Sequence, residues 1–170
     1  RGRARWRWRG GDVPGTDSEP GQGTARQTGG RIKRRKRPAK ADSRKDAPGQ
    51  RIVLVGYVLS TQCKPLAGAW VDFWHADESG AYDNSGFRLR GHQVADAEGR
   101  YRLETILPAI YTGRTRHIHV KLRAKEGGRI LTTQTYFPGE PRNARDWLYR
   151  PVLVARKTEI GLAFDFVLPS

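Results

Sequence analysis

Methionine is absent from these 170 residues, cysteine occurs once, histidine only four times, and 17 acids face 32 bases. Each scarcity excludes something. A single cysteine has no partner for an internal disulfide, so covalent staples do not hold the fold. Cys63 follows Thr61-Gln62 in a turn-like stretch and reads as a bystander rather than a nucleophile. With no methionine anywhere, Arg1 is not the usual initiator. No apolar run approaches the ~20 residues that a membrane-spanning helix needs. The pair Arg34-Arg35 precedes no apolar stretch and is a poor export signal; with no signal peptide evident, the cytoplasm is favoured and the compartment is otherwise left open.

The shortage of acid leaves a net charge of +15, which invites a nucleic-acid reading. Its distribution weakens that reading. Residues 1–50 hold 15 Lys/Arg and 5 Asp/Glu, whereas residues 51–170 hold 17 and 12, so two thirds of the excess sits in the head. The head consists of an Arg/Trp run over 1–9, a Gly/Pro/Thr/Ser stretch to Gly30 and a basic cluster over 31–37. Such a composition buries too little apolar surface to offset the entropy of ordering. Residues 1–50 are therefore expected to be a disordered, solvated tail, and a basic run of this kind is also able to contact nucleic acid or an anionic surface.

Residues 51–170 read as a single all-β domain. Positions 52–59 are rich in Ile, Val and Leu, and a turn comes next at Cys63-Lys64-Pro65 and Gly68. From 69 to 75 the chain alternates, with Val71, Phe73 and His75 on one face and Trp70, Asp72 and Trp74 on the other. Both tryptophans read as core, and His75 and His92 as structural or surface residues. A polar loop over 77–86 carries Tyr82, and Asp96-Ala97-Glu98-Gly99 is a strong turn before a strand over 100–105. Strands over 117–124 and 129–137 flank the turn Glu126-Gly127-Gly128. A loop with two prolines spans 138–147, and final strands are expected over 152–156 and 162–168. About seven short strands with regularly spaced turns argue for a β-sandwich, and no amphipathic helix is evident.

The chemistry concentrates at Arg114-Thr115-Arg116-His117-Ile118-His119. Residues i and i+2 of a strand share a face, so His117 and His119 project side by side, and neutral imidazole is a common metal ligand. A carboxylate partner is missing at the usual spacings: the next acid after His119 is Glu126, which sits in the turn. The nearby donors are phenols instead, Tyr111 six residues before His117 and Tyr82 in its Gly-flanked loop. A phenol with pKa of roughly 10 ligates weakly charged metals poorly, whereas a hard trivalent cation stabilises phenolate as it does metal-bound hydroxide. Two Tyr with two His point to ferric iron.

Residues 51–170 resemble the intradiol ring-cleavage dioxygenases, the family of protocatechuate 3,4-dioxygenase and catechol 1,2-dioxygenase. The matching stretches are Gly56-Tyr57-Val58 with Pro65-Leu66-Ala67-Gly68-Ala69, Val71-Asp72-Phe73-Trp74-His75-Ala76-Asp77 with Gly80-Ala81-Tyr82, Phe87-Arg88-Leu89-Arg90-Gly91, Thr105-Ile106-Leu107-Pro108, the His-x-His segment, and Leu131-Thr132-Thr133-Gln134-Thr135-Tyr136-Phe137. Residues 1–50 lie outside this resemblance. It implies one Fe(III) per domain held by Tyr82 and His117 as equatorial ligands and Tyr111 and His119 as axial ones. It further implies that Tyr111 accepts a substrate proton, that Arg114 stabilises developing negative charge, and that Gln134 belongs to the pocket. The implied reaction is cleavage of a catechol-type ring between its hydroxyls by O2, giving a cis,cis-muconate-type diacid. Fold alone does not fix function, so a binding module on the same sandwich is the competing class. The individual catechol and the oligomeric state are left open; Arg88, Arg90 and Arg100 are equally candidates for a substrate carboxylate and for surface charge.

Overall fold

The computed structural model of the protein describes residues 47–111 and 113–169. The segment expected to be an unstructured tail lies outside the described residues up to position 46. Alternation of side chains organises the strands. In β1 (Arg51–Ser60), Leu54, Gly56, Val58 and Ser60 are buried while Tyr57 faces solvent. β1 pairs with β4 (Arg100–Ile106), where Tyr101, Leu103 and Thr105 are buried in the same rhythm. Its other edge takes two short parallel strands, β8 (Gly161–Ala163) and then β9 (Phe166–Leu168), and β8 forms a hairpin with β7 (Arg156–Thr158). The second sheet is wholly antiparallel, in the order β3 (Arg90–Val94), β2 (Trp70–Trp74), β5 (His117–Arg123), β6 (Leu131–Tyr136).

The two sheets face each other as a sandwich. Leu54, Val58, Tyr101, Leu103, Phe166 and Leu168 of one meet Val71, Phe73, Ile118, Val120 and Leu122 of the other in one apolar cluster. Ile118 is fully buried there, so period 2 turns His117 and His119 onto the opposite face of the second sheet, outside the core. Among the described residues no helix is long and apolar enough to cross a membrane; helical structure is limited to two 3-10 turns, Asn143–Arg145 and Pro151–Leu153.

Three elements differ from the sequence expectation. Residues 90–94, Arg-Gly-His-Gln-Val, carry little β propensity of their own but form β3 because β2 offers them a full ladder, Trp70↔Val94 to Trp74↔Arg90. The stretch expected as a strand over 152–156 opens as a 3-10 turn initiated by Pro151, and the strand β7 begins only at Arg156. The final strand is split: the chain bulges at Phe164-Asp165 and resumes pairing as β9. There the Phe164 carbonyl accepts a 2.6 Å hydrogen bond from the Tyr101 hydroxyl. Tyr101 is 2% exposed, so Tyr101→Phe leaves a carbonyl without that donor and is expected to cost about 1–3 kcal/mol in denaturant unfolding. Residues just before position 51 also pack on the domain: buried Ala47 meets Leu89 and Ile106, and the Gln50 carbonyl accepts from the Leu107 N–H.

Candidate metal centre

Four side chains from three segments meet at one end of the second sheet. β5 supplies His117 and His119, whose rings lie 4.5 Å apart at 84° with their Nε2 atoms 3.0 Å apart. The loop after β2 supplies Tyr82, whose hydroxyl lies 3.4 Å from His117 Nε2. The segment after β4 supplies Tyr111, whose hydroxyl lies 3.5 Å from the same nitrogen. The two phenol rings meet edge to face at 5.5 Å.

The tautomer of His117 is set by its far side. Its Nδ1–H donates to the Thr115 carbonyl at 2.7 Å, which leaves the lone pair on Nε2, pointing into the cluster. Two phenols and a second imidazole approach that single lone pair, more groups than it can satisfy by hydrogen bonding. Burial lowers His117 to about 4 and His119 to about 2, the latter pushed further by its neighbours His117 and Arg114, so both rings are neutral near pH 7. Burial raises the Tyr82 phenol well above its usual value, reinforced by Tyr111 and countered in part by Arg114. An added cation relieves both strains at once, because it takes neutral imidazole lone pairs and turns phenols into phenolates. Among the described residues no group of three or more His, Cys, Asp or Glu is placed to hold a metal, so a site at these two imidazoles would draw on the phenols to complete its donor set.

The Tyr82 loop is held by Asp77. Its Oδ1 accepts from the Ser79 N–H, the Ser79 hydroxyl and the Ala81 N–H at 2.7–2.9 Å, and Arg88 donates to its Oδ2. Burial alone would raise the Asp77 carboxyl; these donors override it and hold it at about 2. Gly80 sits at φ +88°, and a Cβ there would meet the Ile110 carbonyl at 3.1 Å and Tyr111 Cβ at 3.2 Å, so glycine lets the two tyrosine segments touch. Trp74, expected in the core, instead stacks on His119 at 4.9 Å and 5°, because it lies directly opposite it in the β2–β5 ladder. Arg90 and Lys121 place their cationic groups over that indole, 5.5 and 5.7 Å from the ring centre.

Arg114 and Gln134 sit beside the four donors and are bound to each other. Arg114 Nη2 donates to Gln134 Oε1 at 2.7 Å, and Gln134 Nε2 donates to the Tyr136 hydroxyl at 2.6 Å. Gln134 is paired opposite His119, and Tyr136 opposite His117. The other edge of Arg114 is taken by a residue the sequence reading did not single out: Asp146, on the loop after β6, accepts from Arg114 Nε at 2.9 Å. Asp146 sits between Arg145 and Trp147 with no local pattern to mark it, whereas the Asp77-Glu78-Ser79-Gly80 turn at least announces Asp77 as a loop anchor. His75 and His92 play no part in the cluster. His75 is buried, donating from Nδ1 to the Ala76 carbonyl with Nε2 on the Thr105 hydroxyl, and His92 packs against Trp70. Arg88 is committed to Asp77, and Arg100 to Asp96 and Glu98; Cys63 is exposed. An open depression of about 560 Å³ is lined by Ser79, Gly80, Ala81, Ile110, Tyr111 and Arg142.

Known proteins carry the same fold and sequence pattern. A family profile described as dioxygenase matches residues 29–169, beginning inside the head that the sequence resemblance left out. The protocatechuate 3,4-dioxygenase beta chain of Burkholderia cepacia is 36% identical over 152 residues, covering 71% of this chain and 65% of that protein. Catechol 1,2-dioxygenase of Acinetobacter baylyi is 32% identical, covering 76% of this chain and 47% of its own length. The chain thus spans about half to two thirds of the length of these relatives. Among solved structures, the dioxygenase domain of a dioxygenase carbohydrate-binding protein fusion from Streptomyces sp. SirexAA-E is 50% identical with a TM-score of 0.68, covering 74% of this chain and 83% of that one. The 3-chlorocatechol 1,2-dioxygenase of Rhodococcus opacus is 28% identical with a TM-score of 0.63, covering 75% of this chain and 63% of that one.

Proposed function

The chain belongs to the intradiol ring-cleavage dioxygenases, a family that generally uses non-haem ferric iron, and from that premise we propose that it opens a catechol-type ring between its two hydroxyl-bearing carbons. In this reading residues 51–170 are the catalytic domain, O2 supplies both inserted oxygen atoms, and the product is a cis,cis-muconate-type diacid. The observation that carries the proposal is the convergence of two phenols and the His119 imidazole on His117 Nε2 within 3.0–3.5 Å, with the lone pair of that nitrogen aimed inward.

The donor set fits ferric iron. His117 and His119 offer neutral nitrogen, and Tyr82 and Tyr111 offer oxygen that a trivalent cation renders anionic. When bound, the iron supplies Lewis acidity toward both catechol hydroxyls and makes the electron-rich ring reactive toward O2. The protein's own groups do the rest. Tyr111 borders the open depression, and its phenolate oxygen accepts one catechol proton as substrate arrives. Trp74 keeps the His119 ring in plane, and Thr115 keeps His117 in the required tautomer. Arg114 brings a guanidinium, held charged by Asp146 against the pull of burial, to the place where negative charge builds on the ring oxygens. Gln134 fixes one edge of that guanidinium.

The test is the visible spectrum of protein loaded with ferric iron, taken before and after anaerobic addition of catechol. A phenolate-to-iron charge-transfer band that shifts with catechol, then uptake of one O2 per diacid formed once air is admitted, is the expected result. A colourless protein that retains no iron would overturn the assignment.

A further inference from the structure

Resting on that reading, we propose that Asp146 is the positioning residue for Arg114: a buried carboxylate, delivered by a loop some thirty residues away in sequence, that aims the guanidinium toward the reacting oxygens. Arginine carries a long side chain with many rotamers, and an untethered guanidinium would sample many orientations. Here it is locked from two sides. Nε lies 3.1 and 2.9 Å from the two Asp146 oxygens, while Nη2 is held by Gln134, so both the position and the plane of the group are set.

Asp146 is itself immobile. Its side chain is 0% exposed, and besides Arg114 it accepts from the Thr115 N–H at 3.1 Å and the Leu148 N–H at 2.9 Å. The loop that carries it is fastened on both sides. Thr115 donates its hydroxyl to Asn143 Oδ1, Asn143 Nδ2 donates to the Phe137 carbonyl, and Arg116 pairs with Glu140. Thr115 is shared: its N–H anchors to Asp146 and its carbonyl orients His117. The loop therefore ties the geometry of Arg114 to the start of β5. Asp146 offsets the burial of the guanidinium charge and, with both oxygens on its Nε edge, also fixes which way that charge faces.

A double-mutant cycle on the iron-loaded full chain tests this, using Asp146→Asn, Arg114→Ala and the pair together. Asn keeps an oxygen for the Thr115 N–H but surrenders the charge and sets an N–H against Arg114. Each single variant is expected to lower kcat about 100-fold, the scale of one lost charge-stabilising donor. Anaerobic catechol affinity, read from the spectral shift, should change less than threefold. In the Arg114→Ala background, Asp146→Asn should cost nothing further. Equal losses in both backgrounds, or an unchanged kcat in Asp146→Asn, would overturn the proposal. Thermal unfolding of the metal-free variants reports whether the fold survives. If Asp146→Asn does not fold, Arg114→Lys decides: it keeps the charge but gives up the Nε contact, so turnover should fall to within a few-fold of Arg114→Ala, and wild-type turnover would refute the positioning role. An inactive wild-type protein overturns the functional reading and this inference with it, whereas an active one with additive losses overturns this inference alone.

Discussion

Tyr111→Phe is expected to cut turnover of catechol by about 10²- to 10⁴-fold, the range for loss of a positioned proton acceptor, and to shift or bleach the visible band of the iron-loaded protein. The substitution removes one oxygen and leaves the ring. That ring packs edge to face on Tyr82 at 5.5 Å and lies 5.7 Å from the His117 ring, contacts that phenylalanine preserves. The hydroxyl lies 3.5 Å from His117 Nε2 and faces the Tyr82 phenol, long or neutral contacts whose loss costs stability little. Activity and colour therefore report on the oxygen itself. Oxygen uptake with excess catechol and the spectrum of the resting protein measure the two effects separately. Wild-type colour and rate in this variant would remove Tyr111 from the ligand set.

Gly56→Ala is expected to destabilise the fold by at least about 3 kcal/mol in urea or thermal unfolding. A Cβ at Gly56 would lie 1.8 Å from the Phe164 carbonyl oxygen and 2.7 Å from its carbon, and both are backbone atoms that no rotamer change can move. Three hydrogen bonds depend on that stretch: Tyr101 hydroxyl to the Phe164 carbonyl, the Phe164 N–H to the Val55 carbonyl, and the Tyr57 N–H to Asp165 Oδ1. At roughly 1 kcal/mol each, with the strain of an overpacked core added, displacement of the bulge exceeds ordinary substitution costs. It would also pull Phe164 and Phe166, whose rings meet at 4.9 Å, out of register with β1. A loss below about 1 kcal/mol would show that the β8–β9 bulge yields easily. The four candidate ligands lie on the outer face of the other sheet, so a Gly56→Ala protein that folds in the cold should take up iron as the unsubstituted protein does.

Much of this protein can be read from local pattern. Alternation over 69–75 and 117–123 places Val71, Phe73, Ile118, Val120 and Leu122 in the core and puts both imidazoles on one outer face, and period 2 requires no knowledge of strand partners. The turns at Asp96-Ala97-Glu98-Gly99 and after Lys125 arise from their own residues, as Gly99 and Gly127 at positive φ show. The phenol and imidazole donor types likewise suggest the proposed hard-cation chemistry, whatever brings them together. Partnership across the chain is another matter. β3 exists because β2 pairs with it, not because Arg-Gly-His-Gln-Val favours a strand. Trp74 leaves the core for His119 because antiparallel register sets the two opposite each other, and Phe164-Asp165 breaks a hydrophobic run because Gly56 leaves room beneath it. Asp146 reaches Arg114 only when the loop after β6 closes over the start of β5, a contact between residues 32 apart. Residue type and spacing specify what each side chain is able to do and which way it faces; the energy of burying and pairing distant segments decides which of those side chains ever meet.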